Sequence, residues 1–225
     1  MRHRLRESCK KKAVLLSHIL NENTPLYGGK RDISLKADKT MGKGSHCRTM
    51  RWSFSNHSGT HIDAPAHFIE DGISVSDMRA SDFIFSKIAL VDIPDAGSGK
   101  VINCSDISSL GDCELLLIRT GFEKYRGKDI YWADSPCLDP DLALLKKKKA
   151  KSLRAIGIDF ISASNFKNSS VGIQAHKSIL GNGICLIEDM KLSTLVDIPN
   201  MVVVAPVLVE NADGAPCTVM ALTFM

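Results

Sequence analysis

Histidines and carboxylates are concentrated in one short segment of this sequence. Residues 56–68 read Asn-His-Ser-Gly-Thr-His-Ile-Asp-Ala-Pro-Ala-His-Phe and contain His57, His61, Asp63 and His67. At pH 7 a neutral histidine ring can donate a lone pair to a metal ion, and a carboxylate adds negative charge that stabilises a bound dication. The segment therefore predicts a divalent-metal site, with a polar loop of unrelated histidines as the simpler alternative.

The spacing within this segment indicates how the side chains could reach one ion. His61 and Asp63 are two positions apart, so an extended backbone places both on one face. His57 precedes His61 by four positions, and Gly59 between them permits a tight turn. Pro65 then restricts the backbone just before His67.

A histidine and a carboxylate from later in the chain could complete the site. His176 is the only histidine after residue 67, and Glu188 follows it by twelve positions, at the end of the apolar run 184–187. A carboxylate at the end of a buried strand is costly unless it is paired or bound to a metal. Residue types alone leave open whether His176 and Glu188 are ligands or surface residues, and whether the site holds one metal or two.

Short apolar segments predict the strands that position these residues. They cover residues 13–17, 87–93, 114–119, 155–159, 184–187, 201–208 and 218–224. Residues 50–55 alternate apolar and polar, which predicts a strand with one buried face. Helices are predicted over 74–85, over 139–145 with an Asp-Pro start, and over 176–180 before two glycines. Interspersed strands and helices predict one α/β domain over residues 1–225 with a large mixed sheet, residues 1–12 forming a basic, loosely ordered segment.

Composition limits the classes of function. The 225 residues are 44% hydrophobic and 24% charged, as in folded globular proteins, and the net charge of +4 is too small to predict nucleic-acid binding. The lysine run 146–149 lacks interleaved aromatic residues, which favours the C-terminal end of a helix over a phosphate or RNA patch. Seven cysteines without a C-x-x-C pair predict free thiols. No apolar run is long enough for a signal peptide or a membrane span, so we expect a cytoplasmic protein with no membrane partner.

The same residues resemble a known family. The segment from His57 to Phe68 is similar to the H-x-G-T-H-x-D-x-P-x-H-F motif of the cyclase-like metal hydrolases, which include bacterial kynurenine formamidase and isatin hydrolase. Gly157-Ile-Asp159 resembles the central G-x-D strand of that family, and the segment from His176 to Glu188 resembles its H-x(3)-L-x(5)-I-x-E pattern. The ending from Ala205-Pro206 to Asp213-Gly214-Ala-Pro216 is also similar to the family, so the resemblance extends over most of the chain.

Two segments depart from the family pattern. The loop 24–30 reads Thr-Pro-Leu-Tyr-Gly-Gly-Lys, whereas relatives often have Thr-Pro-x-aromatic-Pro-Gly-Asp. Because this loop helps to shape the substrate pocket in relatives, its change affects the expected substrate more than the expected chemistry. Asp189 follows Glu188 where relatives often have Asn.

The resemblance implies a swivelling β/β/α domain with a barrel-like mixed sheet, commonly a homodimer with its site near the interface, or a higher homo-oligomer. It implies that His57, His61 and Asp63 bind one metal, and that Asp63 and Glu188 bridge to a second metal held by His176. The expected cofactor is one or two divalent ions per chain, zinc first and manganese next. His67 is the implied proton-transfer residue, with a role as a further ligand as the alternative.

The function that follows is hydrolysis of an amide-type C–N bond in a small molecule. An arylformamidase, which converts N-formylkynurenine to kynurenine and formate, is the first hypothesis. A hydrolase of a cyclic amide such as isatin, or of a lactone, is the alternative within the same family. A non-catalytic metal-binding or ligand-binding protein is the alternative from another class, and nucleic acid is not an expected partner.

Overall fold

The structure is a computed structural model, and it describes residues 11–42, 44–94, 96–107 and 110–224. Most of the predicted basic segment 1–12 lies outside the described residues, and Lys11 and Lys12 already belong to the first strand. The described residues form thirteen strands and three α-helices, joined by loops and short 3₁₀ turns.

The elements follow one another with few long connections. The strands are β1 Lys11–Leu15, β2 Ser34–Lys39, β3 Thr49–Ser53, β4 His61–Asp63, β5 Ile84–Phe85, β6 Ile88–Asp92, β7 Val101–Ile102, β8 Leu115–Arg119, β9 Cys137–Leu138, β10 Ala155–Ile158, β11 Cys185–Glu188, β12 Met201–Pro206 and β13 Gly214–Phe224. The helices are α1 Asp129–Ala133, α2 Leu144–Lys148 and α3 Ser169–Gly181.

Nine of these strands form one mixed sheet, in the order β5, β12, β13, β4, β11, β10, β8, β6, with β1 also paired to β13. Strands β11, β10, β8 and β6 are parallel, and the pairs on the other side are antiparallel. Only Ser86 and Lys87 separate β5 from β6 along the chain. Because such a connection is short, the two ends of the sheet must meet. The predicted α/β fold with a nearly closed, barrel-like mixed sheet is therefore confirmed.

Both faces of the central strands are buried. On β8, Leu116 and Ile118 pack in a cluster with Ile179 of helix α3, whereas Leu115 and Leu117 pack in a second cluster with residues of β12 and β13. We call these the helix-side and barrel-side clusters. Burial on both faces explains why the parallel strands are continuously apolar in sequence.

All seven strands predicted from apolar segments are confirmed, with shifts at their ends. The predicted strand over 50–55 is also present as β3, but its predicted buried face is wrong. Strand β3 pairs only with β2, outside the main sheet, and Trp52 and Met50 are 65% and 52% exposed. The alternating pattern therefore makes one apolar face that no described residue of this chain fully covers.

The helix predicted over 74–85 is wrong. Two 3₁₀ turns, Val75–Asp77 and Ala80–Phe83, stand there, followed by β5. The Asp77 carboxylate accepts hydrogen bonds from the Ser74 backbone and hydroxyl, which closes a single turn. Met78 and Arg79 then adopt extended ψ values of 143° and 151°, so the helix cannot continue. Local side-chain hydrogen bonds thus determine the backbone here, although the apolar spacing favours a helix.

The other helical predictions are confirmed in part. Asp139 accepts a hydrogen bond from the Asp141 backbone, as a capping residue should, and a 3₁₀ turn leads into α2. The helix that carries His176 ends at Gly181, one residue beyond the predicted end, and begins at Ser169, well before the predicted start.

Surface features follow the sequence in two respects. Lysines 146–148 form the last turn of α2, and Lys146 donates hydrogen bonds to the carbonyls of Asn182 and Gly183 beyond α3. The six described cysteines are free thiols, as predicted. No helix among the described residues is long and apolar enough to cross a membrane.

Candidate metal centre

Strand β4 presents His61 and Asp63 on one face, as their two-residue spacing predicts. Ile62 between them packs in the barrel-side cluster. Both polar side chains are buried, yet they line a cavity of about 400 Å³. His57 lies in the preceding loop, which turns at Gly59 with a φ of 65°. A strand and a tight turn therefore bring three candidate ligands together.

His176 and Glu188 reach the same cavity from other elements. His176 projects from α3, and Glu188 is the last residue of β11, directly opposite His61 of β4. The Nε2 atoms of His61 and His176 lie 3.5 and 3.4 Å from the two Glu188 carboxylate oxygens. They lie 3.3 and 3.7 Å from the two Asp63 oxygens. All five residues predicted to bind metal thus converge.

Backbone carbonyls orient two of these histidines. The Nδ1–H of His61 donates to the Gly59 carbonyl at 2.8 Å, and the Nδ1–H of His176 donates to the Gly172 carbonyl at 2.8 Å. Because a carbonyl oxygen only accepts, each Nδ1 must carry the hydrogen. In the neutral rings the Nε2 lone pairs therefore face carboxylate oxygens, so acceptors face acceptors.

A divalent cation fits this arrangement. The Oδ2 atom of Asp63 is buried and has no hydrogen-bond partner among the described residues. A buried carboxylate oxygen without a partner is costly, and a metal ion would satisfy it together with the facing histidine nitrogens. Imidazole nitrogens held by outer hydrogen bonds, combined with carboxylate oxygens, are the donor set of zinc and manganese sites.

Without a cation, the same proximity makes the histidines more basic. Burial lowers the pKa of His61, but the carboxylates of Asp63 and Glu188 outweigh burial and raise this pKa to about 9. Burial favours a higher pKa for Asp63, but His61 and His57 hold the pKa of this carboxyl well below its usual range. A proton on His61 therefore competes with a metal for the same nitrogen.

A further carboxylate, Asp213, joins His57 to His67. Its Oδ2 atom lies 2.7 Å from His67 Nδ1 and 3.0 Å from His57 Nε2, and the two rings stack with centroids 4.0 Å apart. Asn56 donates to the other oxygen of Asp213 at 2.6 Å. With Nδ1 of His67 engaged by Asp213, Nε2 is the atom of this ring that can exchange a proton with a substrate.

Sequence reasoning did not identify Asp213. The signal was present only as the ending 205–216 of the family resemblance. The adjacent residue, Gly214, leaves room for the His57 ring, because a Cβ atom at this position would lie 2.4 Å from Cε1 of His57. His67 can also form a metal-binding group with Asp63 and His176. Its assignment as the proton-transfer residue, like the ligand set, therefore stays a prediction.

Comparison with known proteins shows the family of this chain. The sequence model of the Cyclase family, described as "Putative cyclase", matches residues 14–164. This chain belongs to the Cyclase family. Among its similar relatives, the kynurenine formamidase of Bacillus mycoides (strain KBAB4) is 27% identical over 212 residues, which cover 89% of this chain and 92% of the relative. The kynurenine formamidase of Geobacillus thermodenitrificans (strain NG80-2) is 28% identical over 211 residues, with 89% and 92% covered.

Solved structures share the fold of this Cyclase-family chain. Isatin hydrolase A from Labrenzia aggregata, bound to benzyl benzoate, superposes with a TM-score of 0.81 at 20% identity, covering 96% of this chain and 94% of that one. A predicted metal-dependent hydrolase from Bacillus stearothermophilus superposes with a TM-score of 0.72 at 22% identity, covering 95% and 98%. The resemblance read from the histidine-rich motif is thereby confirmed.

In this Cyclase-family chain, Asp189, which follows Glu188 where relatives often have Asn, is paired with neighbouring side chains. Asp189 has a φ of 51° and is buried. Its carboxylate accepts hydrogen bonds from Arg126 at 2.9 and 2.8 Å and from the Tyr131 hydroxyl at 2.5 Å. Its backbone carbonyl accepts a hydrogen bond from Thr60 at 2.5 Å. The bend that aims Glu188 at the cavity is therefore fixed by a fully paired network.

Proposed function

We propose that this chain is a divalent-metal-dependent hydrolase of amide-type C–N bonds outside peptides, and specifically an arylformamidase. The observation that carries the proposal is the convergence of His61, His176, Asp63 and Glu188, in which the histidine Nε2 atoms lie 3.3 to 3.7 Å from the carboxylate oxygens. The names of the curated relatives, kynurenine formamidases, support the formamide substrate. The cavity of about 400 Å³ has room for a small aromatic molecule.

In this proposal His57, His61 and Asp63 hold one metal, and Asp63, His176 and Glu188 hold a second where two are bound. Zinc is proposed first and manganese second, since nitrogen and oxygen donors accept both. A divalent metal bound there would lower the pKa of water to about 7 and polarise the substrate carbonyl.

His67 carries the proton in the proposed reaction. Its Nε2 accepts a proton from the attacking water as the water oxygen adds to the formyl carbon. The same atom then donates that proton to the aryl nitrogen as the C–N bond breaks, which gives the free arylamine and formic acid. The formic acid releases its remaining proton to solvent and leaves as formate. Asp213 holds His67 through Nδ1 in the tautomer that this exchange requires.

The apolar part of the cavity suits an aryl group. Tyr27, Phe68, Ile161 and Ile173 line it together with the metal-binding residues. Phe68 stacks on the His176 ring with centroids 4.6 Å apart, so an aromatic surface lies directly beside the reacting groups.

The test is hydrolysis of N-formylkynurenine and of isatin by protein stripped of metal and then reloaded with zinc or manganese. We expect metal-dependent release of kynurenine, seen by its absorbance. Turnover of isatin alone would replace the formamide substrate with a cyclic amide and keep the metal chemistry. Metal binding without hydrolysis of any amide would favour a non-catalytic protein.

We further infer that two copies of the chain form a homodimer through the β2–β3 hairpin. Trp52 and Met50 of β3 line an apolar cavity of about 470 Å³ together with Leu15 and Val207, which are 53% and 54% exposed. An exposed apolar surface of this kind is typical of a protein interface. Light scattering after size exclusion should give the dimer mass, and Trp52→Lys should give the monomer mass. Val196→Lys, at a position 79% exposed elsewhere, is the control.

A further inference from the structure

The cavity that holds the metal-binding residues is also lined by two side chains of opposite charge, Lys30 and Asp32. Both are exposed, and neither forms an ion pair or a hydrogen bond with another residue in the part of the chain that the structure describes. At neutral pH a lysine and an aspartate carry opposite charges. Two charged groups without partners therefore face the space in which the proposed substrate would lie.

Lys30 and Asp32 lie close together in the chain, just before strand β2 begins at Ser34. Arg31 between them does not line this cavity; it lines a neighbouring cavity with Lys128 and Asp129, and Lys30 borders both. Lys30 and Asp32 thus both line the metal-binding cavity, whereas Arg31 does not.

The loop that carries Lys30 is held in place before any ligand arrives. Gly29 has a φ of 70°, and its backbone N–H donates to the Leu26 carbonyl at 2.9 Å. A Cβ atom on Gly29 would lie 2.8 Å from the Trp132 ring, so this loop packs closely on α1. Thr24 at the start of the loop is buried and accepts a hydrogen bond from the Asn21 backbone. A fixed loop loses little conformational entropy when it binds a ligand.

Lys30 places a cation at this cavity, at a loop position where relatives often have Asp. A lone cation would favour any anionic substrate. With Asp32 at the same cavity, the pair favours a ligand group that carries both a negative and a positive charge, as the α-amino acid group does.

We propose that Lys30 and Asp32 determine specificity by binding the α-carboxylate and α-ammonium groups of an aryl amino acid substrate. The inference rests on the proposed arylformamidase function and deepens it. The metal-binding residues and His67 would face the formamide, the apolar wall would contact the ring, and this pair would bind the amino acid arm. Isatin carries neither charge, so the pair gives it no advantage.

The test compares four formamides with the metal-loaded enzyme: N-formylkynurenine, its deaminated analogue with only the carboxylate, its decarboxylated analogue with only the amine, and formanilide with neither. The variants are Lys30→Met and Asp32→Asn, with Arg31→Met as the matched control. For Lys30→Met we expect kcat/KM for carboxylate-bearing substrates, relative to formanilide, to fall roughly fivefold, the effect of one partly exposed ion pair. Asp32→Asn should lower the same ratio for amine-bearing substrates.

Two results would overturn the inference. One is an equal effect of Lys30→Met on all four substrates, and the other is an effect of Arg31→Met as large as that of Lys30→Met. In both cases hydrolysis of formanilide would leave the proposed function intact.

Binding calorimetry with kynurenine and 2-aminoacetophenone tests the pair without turnover. If no formamide is hydrolysed, the proposed arylformamidase function is wrong. The inference then stands if both variants weaken kynurenine binding alone, and falls if the two ligands bind all variants alike.

Discussion

The Nε2 atom of His61 links metal binding to pH. Its pKa of about 9 means that a proton occupies this nitrogen in the metal-free protein at neutral pH. We therefore expect zinc affinity to rise with pH between 6.5 and 8.5, by up to roughly tenfold per unit for one displaced proton. A competition titration with a chromophoric chelator at three pH values measures this. A pH-independent affinity would contradict the assignment of His61 as a ligand.

In the metal-free protein, the stability of the fold should fall as pH rises, whereas zinc affinity rises. The folded-state pKa of His61 lies above the ordinary value of 6.5. The ion pair of His61 with Asp63 therefore stabilises the fold fully below pH 6.5, and this contribution is lost as pH rises through about 9. Urea unfolding of the stripped protein should show lower stability at pH 9 than at pH 6.5, whereas the zinc-loaded protein should not follow this trend.

Ligand and proton-transfer roles can be separated by two alanine substitutions. His61→Ala should lose metal and activity together, because it removes a buried nitrogen that faces two carboxylates. His67→Ala should keep the metal and lose turnover by roughly 10²–10⁴-fold, the usual contribution of a proton-transfer group. Metal content by mass spectrometry, measured beside kcat, distinguishes them. Equal loss of metal in His67→Ala would make His67 a ligand instead.

Asp213 should be nearly as important as His67, because in the proposed reaction it holds the ring of His67 in place. Asp213→Asn keeps the shape but changes which nitrogen of His67 carries hydrogen, so kcat should fall roughly 10²-fold or more. Because Asp213 also contacts His57, zinc affinity should fall by about 10–100-fold. The exposed Asp197→Asn is the control. An unchanged kcat in Asp213→Asn would contradict the role of Asp213 in positioning His67.

The contacts of Asp213 with His57 and His67 also show which residues of the site could not be predicted from the sequence. His57, His61, Asp63 and His67 are close in sequence, so their pattern alone predicts a metal site. Asp213 is 146 positions from His67, and a single aspartate carries no spacing signal. Only the pairing of β13 with β4, which places Gly214 opposite Asp63, brings it there.

At the level of elements, the position of α3 determines where His176 lies. Gly172 allows this approach, because a Cβ atom there would be 2.2 Å from the Ser164 hydroxyl oxygen and 2.3 Å from its Cα. Gly172→Ala should therefore push α3 outward, destabilise the protein by roughly 1–3 kcal/mol and weaken zinc binding. Gly181→Ala on the same helix meets its nearest atom at 3.4 Å and is the matched control. Urea unfolding and chelator competition measure both effects, and equal behaviour of the two variants would contradict the packing argument.

Elements were predictable where one physical effect dominates. The strands buried on both faces are apolar throughout, so composition alone predicts them. The segment 74–85 has helical spacing, yet the Asp77 and Asp82 carboxylates accept hydrogen bonds from the backbone three residues earlier and close it into separate turns. Strand β3 has the alternation of a half-buried strand, yet it lies outside the main sheet and its apolar side chains are exposed. A pattern of residue types predicts an apolar face, but it does not identify the surface that covers that face.

At the scale of the whole molecule, the predicted ligands come from four separate places in the fold: the loop before β4, β4 itself, α3 and β11. A metal bound by all of them would connect the helix layer to the barrel-like sheet. Any ligand that binds only the folded state stabilises it by mass action. Metal binding should therefore raise the stability of the whole chain and not only of the cavity.

Removal of the metal should consequently lower the melting temperature. With free zinc at about 1,000 times its Kd, the expected stabilisation is about 4 kcal/mol. For a chain of 225 residues, about 2–4 °C per kcal/mol gives a shift of roughly 8–16 °C. Calorimetry of chelator-stripped and zinc-loaded protein measures this shift, and His61→Ala should show little of it. If wild type and His61→Ala melted at the same temperature with and without zinc, the ligands would not form a metal site that links these elements.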